Sequence, residues 1–288
     1  MEYPIDVALA RAVPRLPEGS GWWFEPKFDG HRLVLWRDAD SVRCQARSGR
    51  TVTAAWMDLA VAGMDALRPG TVLDGEAVMW IGGRLDFSAV QARAASTPRR
   101  AADLARQYPA HFAVFDCLAL EGEDLRARPY VERRAALLDV LADVPPPIQA
   151  VPATDDRDVA LAWYEQLPAQ GIEGIVAKRA TSPYPGGRRS WVKVRHADTE
   201  DAVVVGYLGP PTRPSKVVVR LGDGARVVSQ TLSAPVSAAV ARHIAASGPG
   251  RRARTPDGVA YVTTGQGLVV EVLAGTTRHV VLTVVRVR

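Results

Sequence analysis

The stretch WWFEPKFDGHRLVLWRD, residues 22 to 38, decides the fold of the first part of the chain. Two apolar runs flank Asp29-Gly30, and Asp-Gly between such runs reads as strand, turn, strand. That reading holds Lys27 at the mouth of a sheet instead of on a mobile loop, with Glu25, Asp29 and Arg32 close by. So much charge at a strand end has a plain reading, a hairpin with a wet polar face. It also has a chemical one. A lysine amine attacks only when deprotonated, and a neighbouring cation such as Arg32, or a metal, pushes it toward that state.

Outward from this segment, short apolar strands alternate with helix-like segments as far as Arg195. Strands are expected at 31–37, 71–80, 111–120, 172–178 and 190–195. VERRAALLDVLADV (131–144) has helical spacing and stops before Pro145, and DVALAWYEQLPAQG (158–171) reads as a helix ending near Gly171. This is an α+β pattern built around antiparallel sheet. From Asp201 the texture changes to β-rich runs such as AVVVGYL and KVVVRL, with one interposed helix, PVSAAVARHIAAS. Asp223-Gly224 between two such runs is a hairpin signal. Strands, one helix and more strands suggest a small barrel of OB type. The boundary falls near residues 196 to 201, giving domains 1–198 and 199–288.

The 288 residues, 47% hydrophobic and 23% charged, are those of an ordinary globular protein. An excess of 36 basic over 31 acidic residues, +5, favours an anionic partner without requiring one. Cys44 and Cys117 make neither a disulfide framework nor a metal knuckle, which suits a reducing cytoplasm. The N-terminus lacks the signature of a signal peptide, and no apolar run approaches a membrane span, so a cytoplasmic protein without membrane partners is expected.

Four further segments carry chemically interesting residues, each with a bland alternative. VLDGEAVMW (72–80) reads as a strand broken by an Asp-Gly turn with Glu76 just beyond it, where a carboxylate could meet a ribose hydroxyl or help hold a hard cation. HFAVFDCLAL (111–120) reads as a strand buried on both faces, in which Phe115 is a stacking platform or core. GIEGIVAKR (171–179) puts Glu173 among apolar residues, at a cost of roughly several kcal/mol unless it is paired or binds something. In SWVKVRH (190–196), Trp191, Lys193 and Arg195 share one face, a ready phosphate site or the wet side of a half-buried strand. There is no P-loop and no GxGxxG after a strand. His31, His111, His196, His243 and His279 are scattered without metal-ligand spacing, which argues against a zinc or Ser/His/Asp enzyme.

The order of these segments is more specific than any one of them. KxDGxR at 27–32, an Arg-Ser-Gly turn at 47–49, LDGE, FxVFD, EGIVAK and WVKVR together resemble the covalent nucleotidyltransferases, and most closely the ATP-dependent DNA ligases. Residues 173–195 are similar to the small bacterial ligases of the LigC type and to the ligase domain of LigD. The resemblance covers most of the chain. It implies an α+β nucleotidyltransferase (adenylation) domain with antiparallel sheets and flanking helices, followed by an OB-fold β-barrel. It also implies ATP and a divalent metal, Mg or Mn, as cofactors. Nicked double-stranded DNA is then the partner, in a monomeric repair enzyme of the bacterial nucleoid that meets other DNA repair proteins.

Carried over by position, the resemblance makes Lys27 the nucleophile toward the α-phosphate of ATP. Arg32 and Arg47 match arginines that hold the nucleotide or a DNA 5′-phosphate. Glu76 matches a ribose contact, and with Glu173 an indirect metal contact. Phe115 matches the ring under adenine, Ile175 an apolar cover, and Glu25 a contact to the adenine edge, while Asp29 belongs to the lysine motif. Lys193 matches the first lysine of the last motif, and Arg195 replaces the lysine usual two places on, which keeps the charge but changes its shape. Near the C-terminus Arg278 and His279 match the motif that orients pyrophosphate, without the Asp-Lys expected after it. With no large domain before Lys27, the grip on a nick is expected from the two domains. Arg99, Arg100, Arg188, Arg189, Arg251, Arg252 and Arg254 are candidates for phosphate contacts, and sealing should then weaken steeply with salt. An RNA ligase, a capping guanylyltransferase and a degenerate nucleic-acid-binding OB protein remain alternatives.

Overall fold

In the computed structural model the chain divides into two units, Met1–His196 and Ala197–Arg288. Every residue is described except 14, 196–198, 223, 249, 266, 274–281 and 288. The expectations placed on His196, Asp223, Arg278 and His279 fall outside the described residues.

The first unit is built on two main sheets. One, the lysine sheet, runs in the order Ala10–Ala12, Trp191–Arg195, Gly174–Arg179, Trp22–Lys27. The other, the arginine sheet, runs Ile148–Ala150, His111–Leu120, Thr71–Val78, His31–Arg37, Val42–Ala46. Pairing along both sheets is antiparallel apart from Ala10–Ala12 on Trp191–Arg195 and Ile148–Ala150 on His111–Leu120, which are parallel.

The alternation of side chains explains the layering. On His31–Arg37, Leu33 and Leu35 join a core with Leu59, Val90 and Leu137 of the helices Met57–Ala66, Phe87–Ala94 and Tyr130–Val140. Val34 and Trp36, on the other face, pack with Tyr184 and Trp191 between the sheets. Both faces are buried, which is why this strand and His111–Leu120 read as nearly continuous apolar runs. The far face of the lysine sheet, with Phe24, Ile175, Val192 and Val194, is covered by Ala160 and its neighbours on the helix Arg157–Gln166.

The structure departs from four of the expectations. Trp22–Lys27 and His31–Arg37 are not two arms of a hairpin: the first pairs with Gly174–Arg179 and the second with strands of the other sheet, so Asp29-Gly30 is a corner between sheets. Gly30 permits the close approach there, since a Cβ would sit 2.3 Å from the Ala77 carbonyl oxygen. Asp74-Gly75 is not a turn but lies inside the strand Thr71–Val78, at a register shift against His111–Leu120. The pairing survives because Gly75 has no side chain where the Phe112 ring packs, 2.6 Å from the position of a Cβ. The helix expected over 158–171 stops at Gln166, because Pro168 brings no backbone donor and a 3-10 turn, Pro168–Gln170, follows. The other expected helix spans Tyr130–Val140, short of 144, and three helices before residue 110 were not read at all.

In the second unit Arg226–Val228, Lys216–Arg220, Thr199–Leu208, Ala260–Thr263 and Arg252–Arg254 follow one another across an antiparallel sheet. Val269–Leu273 also pairs with Thr199–Leu208, and Thr283–Val287 pairs with Val269–Leu273. An isolated bridge from Ser229, next to Arg226–Val228, to Leu282, next to Thr283–Val287, links two of the ends of this arrangement. The helix Ala234–Ser247 buries Val236, Val240 and Ile244, spaced by four, in the same core as Val204, Val217 and Val270. Among the described residues no helix is long and apolar enough to cross a membrane.

Candidate active site

Lys27 is the last residue of its strand and faces Gly174 in register, and its carbonyl accepts from the Glu173 N–H at 2.9 Å. The neighbouring backbone is unusually close. Gly174 has φ +152°, and a Cβ would stand 2.0 Å from the Val194 carbonyl oxygen. Only glycine lets the two strands meet there, and this carries Glu173 to the point where it bridges two cations. Its Oε2 accepts from Lys27 Nζ, and its Oε1 forms an ion pair with Arg195 Nε at 2.8 Å. Glu173 thus sits just ahead of its strand, at the mouth of the site, and not within an apolar strand as expected.

Lys27 opens into a cavity of about 760 Å³ lined from both sheets. The lysine sheet contributes Glu25, Val176, Trp191, Lys193 and Arg195, with Asp29 from the corner. The arginine sheet contributes Arg32, Glu76 and Phe115, and Arg47 and Arg189 complete the wall. Of the two expected contacts that are not on this wall, Glu173 meets Lys27 and Arg195, whereas Ile175 is turned away. It points into the core beneath the sheet, and its neighbour Val176 lines the cavity instead, as the period of two requires. Arg188 is exposed beside Arg189, Arg99 and Arg100 are exposed in the first turn of the helix Pro98–Gln107, and Arg251 and Arg252 are exposed on the second unit.

Arg32 does not wait free for a ligand. Its Nε and one terminal nitrogen each meet a carboxylate oxygen of Asp74 at 2.6 Å, and its guanidinium lies 4.5 Å from the centre of the Phe115 ring. Burial works against the charge, but the Asp74 carboxylate outweighs it and raises the guanidinium pKa. Tyr184 donates to Asp74 at 2.6 Å and accepts from the Ala8 N–H at 3.0 Å, so Asp74 is held from two sides. Beneath the cavity Lys178, fully buried, lies 2.9 Å from a Glu25 oxygen and donates to the Phe115 carbonyl at 2.8 Å. Glu25 also accepts from the Tyr130 hydroxyl at 2.6 Å, and Asp116 pairs with buried Arg133 at 2.7 Å. Glu25 is therefore part of a buried charge network as well as of the cavity wall.

The carboxylates near Lys27 are poised by their surroundings. Burial, reinforced by Glu173, raises the Asp29 pKa against the opposing pull of Lys27 and Arg195. Burial pushes Glu76 up to about 7 even though Arg32 and Lys27 oppose it. Burial and then Arg195 lower the Lys193 pKa. Burial and then Arg50 lower that of His31, whose Nδ1 lies 2.8 Å from the Trp56 indole nitrogen. Among the described residues no group of three His, Cys, Asp or Glu side chains is arranged to hold a metal by itself.

The sequence reading missed Asp74, Tyr184, Lys178 and the Arg133–Asp116 pair as parts of this site. Lys178 was detectable, because it lies two places after Val176 and one strand face carries both. Nothing in the sequence alone pairs Tyr184 with Asp74.

The family model described as the ATP dependent DNA ligase domain matches residues 8–195. DNA ligase C2 of Mycolicibacterium smegmatis is 39% identical over 204 residues, which are 71% of this chain and 57% of that protein. DNA ligase C of Mycobacterium tuberculosis is 36% identical over 208 residues, 71% of this chain and 58% of that protein. The matches thus span less than two thirds of these relatives' length. Among solved structures, the ligase domain of M. tuberculosis LigD is 26% identical with a TM-score of 0.56, covering 99% of this chain and 95% of that one. A mycobacterial DNA ligase D complexed with ATP and MES is also 26% identical, with a TM-score of 0.55 over 97% of this chain and 92% of that one. A motif series from KFDGHR to WVKVR, folded around one cavity and matched over residues 8–195, makes this chain a member of the ATP-dependent DNA ligase family.

Proposed function

We propose that the chain seals nicks in double-stranded DNA with ATP, through an AMP carried on Lys27. The observation that carries this is the placing of Lys27 at the mouth of a two-sheet cavity with an aromatic platform, Phe115, on one wall and Lys193, Arg195 and Arg47 about it. In the first step Lys27 Nζ leaves Glu173, releases a proton to solvent water and forms a bond to the α-phosphorus of ATP while the bond to pyrophosphate breaks. The AMP then passes to a DNA 5′-phosphate, and the adjacent 3′-hydroxyl displaces it to close the strand. Such transfers leave the protein mainly positioning and charge to supply.

Phe115 and Val176 form the apolar walls for a base, Glu76 meets the ribose, and Arg32, fixed by Asp74, presents its remaining donors to phosphate or ribose oxygens. Lys193 and Arg195 face the α-phosphate from the lysine sheet. Magnesium or manganese fits this site, because Glu76 and Glu173 are oxygen donors and the buried negative charge of Glu76 is one that a cation would relieve. Glu76 and Glu173 would hold it together with water and phosphate oxygens, and when bound it would neutralise phosphate charge.

Residues 1–198 are read as the adenylation domain and 199–288 as an OB-fold domain. The second reading is supported by the antiparallel pairing, the single helix and the Ser229–Leu282 bridge that links two of the ends of the sheet. Arg188, Arg189, Arg251 and Arg252 are read as contacts to the DNA backbone. A nucleoid location and repair partners belong to the same reading.

Intact-protein mass spectrometry tests it, using wild type and Lys27→Ala incubated with ATP and a divalent metal and then given nicked DNA. An AMP adduct on wild type alone, removed by nicked DNA, is the expected result. Wild type without an adduct, including protein purified with any AMP retained, would sink the reading. An adduct formed only from GTP, or discharged only by nicked RNA, would point to a capping enzyme or an RNA ligase.

A further inference from the structure

His31 takes no part in the steps above. It is the first residue of its strand, half-buried, and lines the same cavity as Lys27. Its Nδ1 lies 2.8 Å from Nε1 of Trp56, which is fully buried. An indole N–H can only donate, so Nδ1 must accept, and in a neutral ring the proton then resides on Nε2. An imidazolium would carry a proton on both nitrogens and lose this bond.

The indole is itself held. Buried Arg93 stacks 4.8 Å from the centre of the Trp56 ring, donates from Nε to the Ala55 carbonyl at 2.9 Å and pairs with Asp58. Asp58 in turn accepts from the Ala110 N–H at 3.0 Å. Trp56 is thus clamped between a fixed guanidinium and the imidazole, whose ring centre is 5.5 Å away. With Nδ1 committed, Nε2–H is the polar group His31 has left to offer, and among the described residues no protein acceptor takes it. Register also matters. Leu33 faces Ala46, which brings His31 near the turn that begins at Arg47, another cavity-lining residue.

We infer that His31 is a neutral hydrogen-bond donor to a substrate phosphate oxygen, fixed in its Nε2–H form by Trp56 and acting beside Arg47. Trp56 is its positioning residue. This rests on the ligase reading, in which phosphates from two sources reach the cavity: the triphosphate of ATP and the 5′-phosphate of the nick. A neutral donor beside a cation suits either, since the donor needs only an anionic acceptor.

The test compares His31→Met, which removes the donor, with His31→Gln, whose amide N–H reaches the place of Nε2. Two rates are measured for each: formation of the lysyl-AMP from ATP, and sealing of a nick by enzyme already adenylated. His31→Met should slow at least one of them about ten- to hundredfold, the loss expected for a hydrogen bond to a charged acceptor, and His31→Gln should recover most of it. Loss in the first rate assigns the donor to ATP, and loss confined to the second assigns it to the DNA 5′-phosphate. Either supports the inference. Both rates within twofold of wild type in His31→Met, or His31→Gln as impaired as His31→Met, would overturn it.

A second measurement is independent of turnover. Long-range 1H–15N spectra of the histidines should show His31 as Nε2–H at neutral pH in wild type and a growing Nδ1–H population in Trp56→Phe. An Nδ1–H or doubly protonated ring in wild type would overturn the inference. If wild type itself forms no lysyl-AMP, the ligase reading fails first. Calorimetry with inorganic tripolyphosphate then decides for His31: weaker binding by His31→Met sustains the donor, and equal binding refutes it.

Discussion

Removing the buried ammonium of Lys178 should destabilise the first unit by about 3–5 kcal/mol, the range for breaking a buried ion pair by deleting one partner. The contacts say where that cost arises. Asp116 keeps its pair with Arg133, at 2.7 and 3.1 Å, and lies 3.7 Å from Lys178, so it loses little. Glu25 loses the cation at 2.9 Å and keeps the Tyr130 hydroxyl as its hydrogen-bond donor. In Lys178→Met the orphan is therefore Glu25. Glu25→Gln is milder, about 1–3 kcal/mol, because Lys178 retains the Phe115 carbonyl and the nearby Asp116. The double variant, with neither charge of the pair left, should cost less than the sum of the two. All seven tryptophans lie in the first unit, so tryptophan fluorescence during urea unfolding reports on it. With a slope of about 1–3 kcal/mol per molar urea, the Lys178→Met midpoint should fall by at least about 1 M. A loss under about 1 kcal/mol, or strictly additive single and double variants, would refute the reasoning.

Asp74→Asn removes the charge that holds Arg32 and should cost about 2–3 kcal/mol while slowing lysyl-AMP formation; unchanged stability and rate together would show that Arg32 needs no such anchor. The folded pKa of Glu76, about 7, exceeds its value of 4.5 in an open chain, so the folded state binds the proton more tightly. Stability should therefore fall as pH rises from 4.5 to about 7, by at most about 3 kcal/mol, and Glu76→Gln should flatten that slope and be the more stable at pH 8. Parallel pH profiles for the two proteins in urea would contradict it. Arg195→Lys should keep lysyl-AMP formation within a few-fold of wild type while Arg195→Ala loses about tenfold or more, since charge facing the α-phosphate matters more than the fork of the guanidinium. Equal loss in both would show that the fork is needed.

What was legible in the sequence and what was not divides along a physical line. Side-chain alternation put Trp191, Lys193 and Arg195 on one strand face, and that face does line the cavity. The β-rich texture after Asp201 corresponds to a separate unit with its own apolar core. Asp-Gly, however, was read as a turn by local chemistry in the first unit as well as at Asp223-Gly224, and in the first unit it is not one. At Asp29-Gly30 it is a corner between sheets, and at Asp74-Gly75 a close approach inside one, because a glycine is also what a strand needs when a neighbouring ring or carbonyl presses against it. Ile175 was misplaced by one residue, which in a strand is the difference between the two faces. Tyr184 and Asp74 are 110 positions apart, and only the folded chain brings the hydroxyl to the carboxylate.

The corner at Asp29-Gly30 has a mechanical meaning. Lys27 ends a strand of one sheet and Arg32 lies on a strand of the other, so the short run between them is a tether spanning the gap. Lys27 and Glu173 ride together on the same sheet, whereas Glu76 and Phe115 ride on the opposite one. Any shear or spreading of the two layers would change the separation of Lys27 from Glu76 before it touched that of Lys27 from Glu173. Lys27 and its carboxylate partner would then move as one jaw, and the thickness of what lies between the two layers would set the reach.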